Sequence, residues 1–435
     1  MALNRYFHQL DTSSRLRLSG DVVEANGNYV QSLGPPCSVG DCCQIDSLNG
    51  ERHLAEVIGF REHHVLSMPL SSGAGIRYGD KVVGHGRRAH LPVGPLMQGR
   101  VLNAMGAPID GRGNVAEESL LPLDRNAPSP LERVRLTEPL GCGVRSIDTL
   151  LTVARGQRMG IFGGSGVGKS TLIGMMTRNT AADLTVVGLV GERGREVGEF
   201  LEDSLGEEGR SRSVVHVATS DESPLMRMRC ALAATTTAEY FAARGMHVLL
   251  ILDSLTRYAM AAREVGLAAG EPPSTKGYPP SVFAKMARLL ERAGNFADGS
   301  ITAFYTVLME GDDEQDPIVD SARSILDGHI VLSRDLAAEG VYPPIDMLRS
   351  LSRLMPAVAC QEHRKQAMLV RRMLAAYARG EDLIRVGAYR AGSDPELDEA
   401  IALRPQIRAL LQQAAEERTS FEDAVHTLAS IVMSK

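Results

Sequence analysis

The chain has 435 residues, of which 44% are hydrophobic and 23% are charged, and its formal net charge is −6. This length exceeds what one hydrophobic core usually supports, so we expect a globular protein of two or three domains. The negative charge argues against broad electrostatic binding to DNA or RNA, because such binding needs a basic surface. The longest apolar runs, such as residues 248–252, fall far short of the roughly 20 residues that span a bilayer. The first residues carry no long apolar signal segment, so we expect a cytosolic protein.

The first third of the chain changes character twice. Residues 1–17 have apolar side chains at the spacing of one face of a short helix. From 18 to 90, short apolar runs alternate with Gly and Pro turns, which predicts a small β-barrel domain. The Gly- and Pro-rich segment from 91 to about 140 predicts a β-rich link into the next domain. The apolar face of the first segment is formed by Leu3, Tyr6, Phe7 and Leu10.

From about residue 140 to 355, apolar strands alternate with amphipathic helices. This alternation predicts a parallel sheet covered by helices on both faces, an α/β core within a domain of residues 91–355. From 356 to 435 the pattern is helical almost throughout, for example in 361–379 and 405–411, and predicts a separate helical domain. The predicted core strands are Arg158–Phe162, Thr185–Val190, Val214–Thr219, Val248–Asp253 and Ile301–Val307.

A glycine-rich segment directly follows the first of these strands and precedes an apolar helix start. It has the pattern G-x-x-x-x-G-K-S, and a strand before it and a helix after it are the context that identifies a phosphate-binding loop. Glycines let backbone N–H groups wrap the phosphates, and the helix N-terminus adds favourable positive potential. We expect Lys169 to reach the β- and γ-phosphates of ATP and the Ser170 hydroxyl to bind Mg²⁺. The predicted nucleotide-binding residues are Gly163, Gly164, Ser165, Gly166, Val167, Gly168, Lys169, Ser170 and Thr171.

One carboxylate ends a predicted parallel strand, and a second lies just after the end of another. Asp253 ends the strand that begins at Val248, and the ends of parallel strands face the ligand crevice. We therefore expect Asp253 to hold Mg²⁺, directly or through water. Glu192 follows the strand that begins at Thr185, where a carboxylate can orient or deprotonate the attacking water.

These stretches resemble the catalytic subunits of rotary ATP synthases and, more closely, the protein-export ATPases of flagella and type III secretion. Further matching stretches are 188–200, 253–262, 266–278 and 342–355, and the similarity covers nearly the whole chain from residue 18. The resemblance implies a RecA-like P-loop core between a β-barrel and a helical domain. It also implies a Mg²⁺-dependent ATPase that energises protein export as a homohexamer with sites between subunits. The sequence leaves open whether a flagellum or an injectisome is served.

The resemblance assigns roles to individual residues. Glu192 matches the catalytic carboxylate, and Arg193 matches its companion at the phosphates. Arg353 matches the arginine finger that enters the neighbouring subunit's site, and Tyr342 matches the aromatic residue that stacks on adenine. Residues 285–287, Lys-Met-Ala, depart from the family pattern, so no role is assigned to that segment.

The resemblance also implies partners. Residues 1–17 resemble the short helix by which export ATPases bind their stator protein. The other expected partners are a central-stalk protein, export chaperone–substrate complexes and the export gate at the inner membrane. The protein is then cytoplasmic and peripherally associated with that membrane, without a nucleic-acid partner.

Two other functions share parts of this pattern. A hexameric RNA translocase of the Rho type would need exposed aromatic side chains in its N-terminal barrel, whereas aromatic residues make up only 4% of this chain and Trp is absent. A non-hydrolysing ring subunit would keep the P-loop without the catalytic machinery. The presence of Glu192 and Arg353 argues against that second function.

Overall fold

The computed structural model describes residues 18–309, 313 and 315–433. The partner-binding helix predicted over residues 1–17 lies outside this part of the chain. None of the helices in the described ranges is long and apolar enough to cross a membrane.

The N-terminal domain is a closed antiparallel barrel with the strand order β1-β2-β5-β4-β3-β6. Alternate residues along each strand point inward, and small β-branched side chains such as Val22, Val57 and Val82 fill the interior. This confirms the small β-barrel that the sequence predicted. The strands are β1 (Ser19–Ala25), β2 (Val30–Leu33), β3 (Asp41–Asp46), β4 (Arg52–Arg61), β5 (His64–Pro69) and β6 (Lys81–Arg88).

The segment after the barrel does more than connect two domains. Strand β8 (Val101–Asn103) pairs in parallel with a strand of the central sheet and forms its edge. Two small antiparallel pairs flank the connection, β7 with β9 and β10 with β11. These strands are β7 (His90–Val93), β9 (Ser119–Pro122), β10 (Pro139–Leu140) and β11 (Val153–Ala154).

The central sheet has the order β19-β18-β12-β17-β15-β13-β14-β8, with β16 paired to β17. Its strands run parallel except β16 and β19, which are antiparallel to their neighbours. The five predicted core strands are confirmed, and each end lies within two residues of its predicted position. The strands are β12 (Arg158–Gly163), β13 (Leu184–Glu192), β14 (Ser213–Thr219), β15 (His247–Asp253), β16 (Gly294–Asn295), β17 (Ser300–Leu308), β18 (Gly328–Leu332) and β19 (Ile345–Ser352).

Helices cover both faces of this sheet, so its middle strands are buried on both sides. Every residue of β15 is buried, and two hydrophobic clusters lie on the two faces. This confirms the predicted α/β core. The helices up to the end of this core are α1 (Arg145–Leu150), α2 (Lys169–Asn179), α3 (Gly194–Glu199), α4 (Gly206–Ser211), α5 (Pro224–Ala242), α6 (Leu255–Ala268), α7 (Pro280–Leu290), α8 (Pro317–Ile325) and α9 (Arg334–Ala338), with a π-helical turn at Phe200–Leu205.

The C-terminal part is helical, as predicted, but two of its helices are longer than the sequence suggested. The first predicted helix continues to Arg385, and the helix predicted over 405–411 begins at Pro395. Asp394 starts that helix by accepting hydrogen bonds from the N–H groups of Glu396 and Leu397, and Pro405 lies inside it. The helices are α10 (Met355–Val358), α11 (Gln361–Arg385), α12 (Pro395–Leu411) and α13 (Phe421–Met433).

The strand directions define two edges of the central sheet. The edge at which the parallel strands end is called the carboxyl edge here, and the opposite one the amino edge. Strand β19 runs the other way, since Ile345 pairs with Leu332 and Ser352 with Gly328. The residues just before β19 therefore lie at the carboxyl edge, and those just after it lie at the amino edge.

Candidate active site

The predicted phosphate loop lies at the carboxyl edge, between β12 and α2. Its two glycines before the lysine have φ of 79° at Gly166 and 91° at Gly168, a region that side-chain-bearing residues rarely adopt. Val167 is buried and anchors the loop to the core, while Ser165 and Ser170 are exposed. The loop thus has the open surface and the helix start that suit an anion.

Lys169 begins α2 and lies among carboxylates. Burial lowers the pKa of its ammonium group, and the negative charges of Asp253 and Glu192 oppose that effect. The three residues come from three different elements, α2, β15 and β13. The structure therefore brings together the lysine and both of the carboxylates that the sequence singled out.

Asp253 is nearly buried at the end of β15. One of its carboxylate oxygens, Oδ1, accepts a hydrogen bond of 2.6 Å from the Thr306 hydroxyl, which fixes the side chain. Within the described ranges, no three His, Cys, Asp or Glu residues are grouped so that they could hold a metal ion. Mg²⁺ at a nucleotide site needs only one or two protein ligands besides the phosphates, so the Asp253 carboxylate and the Ser170 hydroxyl are a chemically suitable pair.

Glu192 extends beyond Asp253 at the same edge, because Leu189 of β13 is level with Asp253 of β15. Burial and the negative charge of Asp253 raise the pKa of Glu192 to about 8. Glu196 on α3 lies next to it, and accepting a hydrogen bond from Glu192 lowers the pKa of Glu196. The raised pKa of Glu192 and the lowered pKa of Glu196 favour a proton on Glu192, which donates a hydrogen bond to Glu196.

This protonation predicts a pH dependence. A carboxyl group with a raised pKa becomes a base only as the pH rises through that pKa, so kcat/KM for ATP should rise between about pH 6 and about pH 9. Steady-state assays across that range measure the effect. The exposed Glu199, seven residues along, supplies a control, and Glu199→Gln should keep the same rise. A flat profile would show that Glu192 does not act as the base.

Three charged residues that the sequence analysis did not single out also lie here. One is Glu196. Arg257, in the first turn of α6, acts electrostatically on Lys169 and Glu192, and its buried Nε has no hydrogen-bond partner. Arg334 lies against the loop, since a Cβ atom on Gly164 would be 2.3 Å from its Nη2. Both arginines follow the end of a parallel strand within four residues, and this position is the signal that could have found them.

Arg193 and Tyr342 lie at the same edge but are open to solvent. The Arg193 side chain is 76% exposed, and its Nη1 is 3.6 Å from Glu196 Oε1. The Tyr342 ring lies beside the loop, 3.7 Å from where a Cβ on Gly168 would be, and is about half exposed. The N–H of Gln413 donates a 2.8 Å hydrogen bond to the carbonyl of Tyr342. This exposed ring could stack on a base whose phosphates occupy the loop.

Arg353 is not brought together with the other predicted site residues. It directly follows β19 and is exposed at the amino edge, where its N–H bonds to the carbonyl of Asp327. Strand β12 separates this edge from the phosphate loop, and its six residues span about 17 to 20 Å. Arg353 therefore cannot reach the phosphate loop of its own chain.

Three family models match the chain. Residues 143–352 match the ATP synthase alpha/beta family nucleotide-binding domain, and residues 22–86 match the beta-barrel domain of that family. Residues 359–430 match the T3SS EscN ATPase C-terminal domain. Together the three models cover each part of the architecture.

Relatives of two kinds are similar along nearly the whole chain. The flagellum-specific ATP synthase of Pseudomonas aeruginosa is 50% identical over 99% of this chain and 96% of the relative. The chain belongs to the family of flagellum-specific ATP synthases and type 3 secretion system ATPases. The type 3 secretion system ATPase of Xanthomonas euvesicatoria is 47% identical over 97% of this chain and 96% of the relative.

Solved structures of the same family have the same fold. The assembled ATPase EscN from the type III secretion system of enteropathogenic E. coli is 43% identical and superimposes with a TM-score of 0.90 over 95% of this chain and 100% of the solved EscN chain. EscN in complex with its central stalk EscO gives a TM-score of 0.88 at 42% identity, again over 95% of this chain and 100% of the solved EscN chain. These comparisons confirm the RecA-like core with its barrel and helical domain, and the export ATPase family that the sequence resembles. They do not favour the RNA translocase or the non-hydrolysing subunit.

Proposed function

We propose that this chain hydrolyses ATP as a homohexameric ring and thereby energises protein export through a flagellar-type (type III) secretion apparatus. The main support for this proposal is the position of Arg353. Every other predicted catalytic residue lies at the carboxyl edge of the sheet, whereas Arg353 lies at the amino edge. A complete site therefore needs a second copy of the chain, and a closed ring supplies one to every subunit.

Within one subunit, the phosphate loop grips the triphosphate. Its backbone N–H groups and Lys169 neutralise the β- and γ-phosphates, and Arg193 and Arg257 add positive charge from two other elements. Ser170 and Asp253 would hold Mg²⁺, which neutralises charge on the phosphate oxygens. The Tyr342 ring stacks on adenine.

Glu192 acts on the water. Its buried carboxyl group lies beyond Asp253 at the same edge, where it can orient a water molecule and accept its proton as that water attacks the γ-phosphorus. The raised pKa makes it a stronger base than an ordinary glutamate. Glu196 beside it can exchange hydrogen bonds with it as it changes protonation state.

The neighbouring subunit completes the site with Arg353. An arginine finger stabilises the charge of the transition state and typically accelerates phosphoryl transfer by roughly 10³ to 10⁵. Such a finger also makes hydrolysis depend on assembly, because an isolated chain lacks it. The solved EscN is likewise an assembled ATPase.

The partners follow from the relatives. EscN was solved with its central stalk EscO, which supports a central-stalk protein as a partner of this chain. We further propose that residues 1–17 bind a stator protein and that the ring receives export chaperone–substrate complexes. The same apparatus would place it peripherally at the export gate of the inner membrane.

The variant Arg353→Ala tests whether a neighbouring subunit completes each active site of the ring. It should lower kcat by at least about 10³-fold, because the transition state loses its positive charge, while the phosphate loop still binds nucleotide. Phosphate release and binding of a fluorescent ATP analogue measure the two effects. Arg349→Ala, which removes an exposed arginine of β19 four residues before Arg353, is the matched control. Full activity from a strict monomer at all concentrations would rule out the finger and the ring.

A further inference from the structure

The backbone of Arg353 is anchored to a turn that precedes β18. Its N–H donates a 3.0 Å hydrogen bond to the carbonyl of Asp327, the residue immediately before that strand. Its guanidinium Nη2 donates to the carbonyl of Arg323 at 3.2 Å. The placement of Arg353 at the surface therefore depends on how the turn at Asp327 is held.

Arg158, the first residue of β12, holds this turn in place through hydrogen bonds to Asp327. Arg158 Nε and Nη2 donate to the two carboxylate oxygens of Asp327, at 3.1 Å and 3.2 Å. The backbone of Arg158 adds two more bonds, since its N–H donates to the same carboxylate and its carbonyl accepts from the Asp327 N–H. A two-pronged contact of this kind fixes direction as well as distance. The Arg158 side chain is only 15% exposed, so solvent competes weakly for it.

Gln157, the residue before Arg158, holds the other side of Arg353. It is fully buried, and its amide Nε2 donates to the carbonyl of Asp327 at 3.1 Å and to the hydroxyl of Ser352 at 3.2 Å. Ser352 and Asp327 are the two groups that flank the Arg353 backbone, one along the chain and one across the sheet. A single buried amide thus ties both to the start of β12.

We propose that Gln157, Arg158 and Asp327 are positioning residues that set the geometry of Arg353 for the active site of the neighbouring subunit. This inference rests on the proposed function, in which Arg353 acts across a subunit interface. These residues do not touch the nucleotide of their own subunit, because they lie at its amino edge, and Gln157 is fully buried. Strand β12 therefore leads into the phosphate loop at its carboxyl end, while Gln157 and Arg158 at its amino end position Arg353.

The first test is Asp327→Asn, which keeps the size of the side chain and removes the charge that Arg158 grips. Displacing a catalytic group by about 1 Å can cost on the order of 10²-fold in rate, so we expect a fall in kcat of that order. Binding of a fluorescent ATP analogue should stay unchanged, since the phosphate loop of the same subunit is intact. If Asp327→Asn fails to fold, Arg158→Lys, which keeps the charge but loses the two-pronged contact, should likewise lower kcat and leave nucleotide binding unchanged.

Rings assembled from two different variants distinguish a positioning role of Asp327 from general damage to the subunit. An Asp327→Asn subunit has a sound phosphate loop and a misplaced finger, whereas a Lys169→Ala subunit has the opposite defect. Co-assembly of the two should restore ATPase activity above that of either alone, because some interfaces join the two sound halves. Co-assembly of Asp327→Asn with Arg353→Ala should restore nothing, because both defects fall on the finger.

The control mixture of Arg353→Ala with Lys169→Ala tests the role of Arg353 across the interface separately from the positioning role of Asp327. If this mixture regains activity but the Asp327→Asn mixture with Lys169→Ala does not, the positioning role is wrong and the finger stands. If the control mixture also stays inactive, the finger across the interface is wrong, and the proposed ring site fails with it. A loss of nucleotide binding by both Asp327→Asn and Arg158→Lys would likewise overturn the positioning role, because the defect would then lie in their own phosphate loop.

Discussion

Replacing Lys169 with alanine should nearly abolish ATP hydrolysis. Lys169 is partly buried at the start of α2, among the side chains of Asp253, Glu192 and Glu196. Without its ammonium group, three carboxyl groups would face the triphosphate with less opposing charge, in surroundings where electrostatic forces are stronger than in water. We expect a fall in kcat of at least about 10³-fold, measured by phosphate release at saturating ATP.

Lys365→Ala is a suitable control for that experiment. Lys365 is exposed on α11, outside the sheet edge that carries the site, so its loss changes the net charge equally without touching the phosphate loop. This control variant should keep the activity of the unaltered chain. If Lys169→Ala kept most of its activity, the assignment of the loop would be wrong.

The parts of the site that could be predicted from the sequence depend on short-range patterns. The phosphate loop is one continuous segment, and its strand and helix adjoin it in the chain. Asp253 and Glu192 were found because each ends an apolar strand, and parallel strands expose their last residues at a common edge. The structure places these residues at one edge, as that argument expects.

The parts that could not be predicted depend on which distant segments pair. Arg158 and Asp327 are 169 positions apart, and their contact exists because β12 lies beside β18 in the sheet. The strand order of a parallel sheet is set by packing of whole βα units, which local periodicity does not encode. The helical pattern of the C-terminal part did not locate individual helix starts, and the helix that contains Pro405 begins ten residues earlier at Pro395, although a proline is uncommon inside a helix.

The role of Arg353 in a neighbouring subunit could be predicted from the sequence only in part. The resemblance to export ATPases suggested that Arg353 serves a neighbouring subunit, but no short-range pattern required it. The antiparallel direction of β19 supplies the physical reason, because it carries the chain from Tyr342 at the carboxyl edge to Arg353 at the amino edge. One strand thus separates a residue proposed to bind adenine in its own subunit from one proposed to act in the next.

Glu192→Gln should bind ATP and turn it over very slowly. The raised pKa of Glu192 favours its protonated form, which donates a hydrogen bond to Glu196, and the amide of glutamine can donate in the same way. Folding and nucleotide binding should therefore be preserved. An amide cannot accept the proton of the attacking water, and loss of a general base typically costs 10² to 10⁴ in rate, so we expect kcat to fall by roughly that factor.

The adjacent Glu196 makes the comparison informative, because either carboxyl group of the pair could in principle take the proton. Glu192 lies at the end of the central strand β13 and feels the charge of Asp253 directly, whereas Glu196 lies on α3 and also pairs with the exposed Arg193. We therefore expect Glu196→Gln to lower kcat much less than Glu192→Gln and to leave the pH dependence of kcat/KM in place with a shifted midpoint. The midpoint should move to lower pH, because Glu192 would no longer donate its proton to a charged neighbour, and the electrostatic cost of ionising it would fall. Equal losses in the two variants would instead show that the proton belongs to the pair and not to Glu192 alone.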